Sequence, residues 1–114
     1  MSQRQVDAPE EDDNLSKVIG ALWKARRGEV LAQVGVLESA VRSLASGNLS
    51  EAERRFAQGE AHKLAGSAGT FGFPHGTVLA REIEGLLTEG CAPTARLRAL
   101  VGDLRAELET EPVL

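Results

Sequence analysis

Cysteine is almost missing from this chain of 114 residues: Cys91 stands alone, which excludes an internal disulfide and a cysteine-based zinc cluster. Its simplest role is a small, half-buried loop residue. No apolar run approaches the ~18 residues of a membrane span, and the start Met1-Ser2-Gln3-Arg4-Gln5 lacks the apolar stretch of a secretion signal. The cytoplasm is therefore the expected compartment. Aromatic residues make up only 4%, and no basic face accompanies them, so the footprint of a nucleic-acid binder is lacking. There is no P-loop and no glycine-rich nucleotide lid, and the chain is too short for a separate ATP domain. No stretch alternates as a strand does, and no internal repeat is evident.

What is present fits one small helical domain, with 42% hydrophobic residues to build a core. The net charge of −4 is unevenly placed. Asp7, Glu10, Glu11, Asp12 and Asp13 outweigh Arg4 in the first fourteen residues and account for all of it. Residues 1–14 therefore read as a disordered acidic tail and 15–111 as the folded domain.

Helix punctuation divides that domain. Leu15, Val18, Ile19, Leu22 and Trp23 predict a short amphipathic helix to about Lys24, with Gly28 marking a break or kink. Trp23 reads as a core or cap residue that also borders a candidate partner face. Val30, Val34, Leu37, Val41 and Leu44 form one apolar stripe over about 27–46, closed by Gly47-Asn48. Ser50-Glu51-Ala52-Glu53 is a capping box that opens a helix carrying Ala57, Ala61, Leu64, Ala68 and Phe71 at core spacing. Pro74 ends that segment and starts the next, with Leu79, Ile83, Leu86 and Leu87 on one side up to Gly90. Pro93 can open the last helix, where Leu97, Val101, Leu104 and Leu108 repeat the pattern. Short loops make successive helices antiparallel. The expected fold is an all-α, up-down four-helix bundle with the short first helix covering one end.

One segment does not serve that core. Gly59, His62, Gly66 and Gly69 step by three, four and three, which lines them along one side of a helix. His62 lies roughly 130° from the centre of the apolar stripe and should face solvent. Three glycines inside a helix cost about 3 kcal/mol relative to alanine. The pattern suggests that another surface must come close to the imidazole; close helix–helix packing is the structural alternative. A neutral imidazole has a ring nitrogen with a free lone pair, able to attack phosphorus.

Ala61, His62, Leu64, Gly66, Ser67, Gly69 and Gly72, followed by Ala80 to Glu84, resemble the histidine-containing phosphotransfer (HPt) domains of bacterial phosphorelays. The likeness is strong over about residues 50–87. It implies that His62 is the phosphoacceptor, attacking through Nε2, and that the chain carries a phosphoryl group from one receiver-domain aspartate to another without an ATP site of its own. Many members carry a lysine three residues after the histidine; this chain has Ala65 there, with Lys63 nearby. Gly59, Gly66 and Gly69 then form an access surface. Arg55 and Lys63 become candidates to attract an acidic receiver pocket, and Gln58 to hydrogen-bond to the ring or the phosphate. Glu84, twenty-two residues after His62, is a candidate to hold the imidazole Nδ1–H. Ser67 reads as a small packing residue and His75 as a surface residue without metal-ligand spacing.

The resemblance implies no cofactor and no metal on this chain; Mg²⁺ is expected on the partner receiver domain. Implied partners are response-regulator receiver domains and a hybrid sensor histidine kinase, with the chain working as a monomer and touching neither nucleic acid nor membrane. Two other functions stay open: a direct histidine-kinase substrate, and a helical module that binds a receiver without turnover.

Overall fold

The computed structural model describes residues 2–89 and 93–113, with side chains from residue 14 onward. Four helices follow in order: α1, Ser2–Ala45; α2, Glu51–Thr70; α3, Pro74–Glu89; and α4, Thr94–Leu108. Among the described residues there is no strand. α2 packs on α1 and α3, and α4 packs on α3 and α1, which closes the four helices into a bundle. Gly90 and Cys91, expected to end α3 and occupy the following loop, lie outside the described residues.

The core is made where the apolar stripes meet. Val30, Val34, Leu37 and Val41 of α1 face Ala57, Ala61, Leu64 and Ala68 of α2, with Leu79, Ala80, Ile83 and Leu87 of α3 and Leu97, Val101, Leu104 and Leu108 of α4 closing the ring. The alanines of α2 keep that helix thin on its buried side, so its neighbours sit close. At one end Trp23 is 4% exposed and caps the core, its ring 5.5 Å from Phe71 and 4.9 Å from Phe73. Val113 N–H donates to Gly72 C=O at 2.8 Å, fastening the chain that follows α4 to the same end.

The helix ends follow their local chemistry. α1 closes in a Schellman motif: Asn48 N–H donates to Ser43 C=O and Gly47 N–H to Leu44 C=O, with Gly47 at φ +72°. Ser50 and Glu53 form both bonds of the capping box that opens α2.

The first helix departs from expectation. A short helix, a break at Gly28 and a second helix were expected, but α1 runs unbroken through Gly28, with its helical backbone beginning at Ser2. The reason for continuity lies in the stripe. Trp23, Val30, Val34, Leu37 and Val41 step by seven, four, three and four, so the buried face crosses Gly28 without changing register. A lone glycine costs about 1 kcal/mol, which packing of a continuous face outweighs. At 1.5 Å per residue, a helix of 44 residues is about 66 Å long against about 30 Å for α2. The N-terminal part of α1 therefore overhangs the bundle and sets the molecule's longest extent, 64 Å.

Candidate functional site

The glycine-lined side of α2 lies at its outer edge toward α3. His62 sits there with its side chain 75% exposed, and its Nδ1 is 3.0 Å from Glu84 Oε2 of α3. An ionised carboxylate only accepts, so the hydrogen bond requires the proton on Nδ1 and leaves the lone pair on Nε2. The two residues are twenty-two apart in sequence, and the antiparallel pairing of α2 with α3 brings them together.

The glycines divide into two kinds. A Cβ built on Gly59 or Gly66 would meet nothing within 4 Å, so these two leave open space beside His62. A Cβ on Gly69 would come 3.2 Å from Thr77 Oγ1, so here the missing side chain lets α3 approach. The stripe thus leaves open space at two positions and serves close helix–helix packing at the third. Thr77 Oγ1 also donates to the Ala65 C=O at 2.9 Å. Ala65, at the position where many relatives of the motif carry lysine, is 6% exposed and belongs to the core rather than to the histidine surface.

The cations near His62 differ in their freedom. Arg55 is exposed and bonded to Glu51 at 3.2 Å. Lys63 is exposed and makes no ion pair with a described residue; as the next residue in the helix it stands ~100° around from His62. Arg54 is more engaged, bonded to Glu51 and donating through Nη1 to the Leu87 C=O of α3. The Glu51 carboxyl is held below its ordinary value, chiefly by the hydrogen bond from Arg54. Gln58 is half-buried one turn before His62, Ser67 is half-buried, and His75 is exposed in the first turn of α3.

Two residues of this seam were not legible in the sequence as parts of the site. Thr77 and Arg54 each anchor a side chain to a backbone carbonyl across the α2–α3 seam, one on either side of the His62–Glu84 pair along it. The one sequence signal for Thr77 is its spacing of seven from Glu84, which puts both on one face of α3. No group of three or more metal-binding side chains occurs among the described residues, and no helix there is long and apolar enough to cross a membrane.

Comparison with known proteins follows the same lines. Protein RcaC of Microchaete diplosiphon is 37% identical over 62 residues, 54% of this chain, and the matched part is 10% of that protein's length. No solved structure matches the chain significantly. The family profile described as "Hpt domain" matches residues 21–111, which takes in all of α2, α3 and α4 and the bundled part of α1. An exposed imidazole on a glycine-lined helix, in an all-α bundle matched over that span, makes this chain a member of the Hpt domain family, the phosphotransfer carriers of two-component signalling.

Proposed function

We infer that this chain accepts a phosphoryl group on His62 Nε2 from a receiver-domain aspartyl phosphate and passes it to the aspartate of a second receiver. The observation that carries the reading is the His62–Glu84 pair: an exposed ring whose Nδ1–H is held at 3.0 Å, with Nε2 left as the nucleophile. In the forward step Nε2 attacks phosphorus, the N–P bond forms, and the acyl P–O bond breaks, leaving the donor's carboxylate. The positive charge that the ring gains is opposed by Glu84, which keeps its hydrogen bond throughout. The second step reverses this chemistry: an incoming aspartate oxygen attacks phosphorus and the neutral imidazole departs. Gly59 and Gly66 support the reading because open space beside the ring admits the partner's loops. Mg²⁺ to offset the phosphoryl charge is assigned to the receiver.

Incubation with a phosphorylated receiver should give an acid-labile, alkali-stable adduct that is lost in His62→Gln. A parallel incubation with kinase and ATP but no receiver separates the relay from direct kinase phosphorylation. A label that survives His62→Gln or moves to His75 sinks the assignment.

A further inference from the structure

With His62 as the phosphoacceptor, the phosphoryl group rests on the ring between the two transfers with no receiver beside it. Its charge of about −1.5 to −2 then stands next to the Glu84 carboxylate, which steadies the ring but repels the phosphoryl oxygens. A cation of this chain has to offset that. The cations of α2 are poorly placed for it. Arg54 is committed to Glu51 and to the Leu87 C=O, and Arg55 is paired with Glu51 and stands about 10 Å along the helix from His62. Lys63 is turned ~100° around the helix. α3 offers a better candidate. Arg81 comes four residues after Thr77 and three before Glu84, on the side of α3 that these two present to the seam. Because α2 and α3 are antiparallel, the step from Glu84 to Arg81, about 4.5 Å, runs the same way as the step from His62 to Gly66, about 6 Å. Arg81 thus comes level with Gly66, where a Cβ would meet nothing within 4 Å. It is exposed and makes no hydrogen bond or ion pair with a described residue, Glu84 included.

We propose that Arg81 holds the phosphoryl group: once His62 Nε2 carries it, the Arg81 guanidinium donates N–H bonds to its oxygens across the open space at Gly66. The proposal rests on His62 being the phosphoacceptor. A planar guanidinium matches two oxygens of one phosphoryl group, and these charge-assisted bonds counter the repulsion from Glu84 without competing for the Nδ1–H. Successive turns of α3 then divide the work. Glu84 orients the ring and Arg81 binds what the ring carries. The contact exists only when the phosphoryl group is present, so it favours formation of the phosphohistidine and leaves the resting ring as it is.

The test uses a donor too small to dock as a protein does. Phosphoramidate is incubated with the full chain and no receiver, Nε2 attacking phosphorus as ammonia leaves, and the adduct is followed by ³¹P resonance. In Arg81→Gln its formation should slow at least about fivefold and its ³¹P resonance should shift. Because Arg81 is exposed, thermal melting should be unchanged. Arg81→Lys should recover part of the rate, since it keeps the charge and loses the planar fork. Lys63→Gln should change the rate less than about twofold. Formation at the parental rate or an unshifted resonance in Arg81→Gln overturns the proposal, and so does an equal slowing in Lys63→Gln, which would mean charge alone. A defect of Arg81→Gln confined to transfer from a receiver also overturns it, because Arg81 would then act in docking. Failure of the His62 reading looks different: the parent would form no adduct, or one that survives His62→Gln, whichever residue stands at position 81.

Discussion

His62 depends on very few atoms of its own domain. Among the described residues its exposed ring has one side-chain hydrogen bond, to Glu84, and none from a neighbouring cation. Glu84→Ala should therefore leave receiver binding nearly intact and slow single-turnover transfer by about tenfold or more, because ring orientation and tautomer are both released. Transfer at the parental rate would reduce Glu84 to a surface residue. The two kinds of glycine give a second contrast. Gly66→Leu fills open space, so it should raise helix stability by up to about 1 kcal/mol while slowing transfer strongly. Gly69→Leu should instead lower the melting temperature, since even its Cβ meets the Thr77 hydroxyl at 3.2 Å. Melting and transfer measured on both variants separate access from packing. At this scale the sequence was informative about which residues lie on the histidine side. It grouped Gly69 with the access glycines, because spacing reports a shared face and not what stands opposite.

Between elements, the decisive quantity is how α3 is set against α2. The Thr77 hydroxyl on Ala65 C=O and the Arg54 guanidinium on Leu87 C=O fix that register on either side of the His62–Glu84 pair. Thr77→Val keeps the shape and removes the bond, for a loss of about 1 kcal/mol. It should also weaken the Nδ1–H hydrogen bond of His62, visible as a changed imidazole ¹⁵N shift; a stability loss with an unmoved ring shift would confine Thr77 to packing. Helix existence was legible from stripes and caps, and α2 begins at Ser50 as its capping box requires. The break at Gly28 was not real because propensity is local, whereas the stripe through Trp23 and Val30 is satisfied by partners far along the chain. Thr77 and Arg54 were missed for a related reason: each bonds to a backbone carbonyl, which carries no mark in the sequence.

For the molecule as a whole, the seam between α1 and α4 is where acid should act. Arg105 donates to both oxygens of Glu38, at 2.7 and 2.8 Å, and this hydrogen bond holds the Glu38 carboxyl below its ordinary 4.5, outweighing the opposite push of burial. A carboxyl depressed in the folded state stabilises above its unfolded value, and that contribution is lost as pH falls through the folded value. Glu38→Gln should thus lower stability by about 1 kcal/mol at neutral pH, discounted for partial exposure, and the melting temperature by about 4 °C. The gap between variant and parent should close below the ordinary carboxylate range; a gap that persists in acid would mean lost packing rather than a lost ion pair.

Trp23 is the sole tryptophan, and the chain has no tyrosine. Its indole lies against Phe71 and Phe73, where α1 leaves the bundle and α2 turns into α3. Emission excited at wavelengths beyond phenylalanine absorption is consequently a one-site signal, since there is no tyrosine to share it. It reports the junction between the projecting part of α1 and the helix pair that holds His62. A red shift marks water reaching that junction, and a steady emission maximum during receiver binding would show that the histidine face can be engaged without disturbing it.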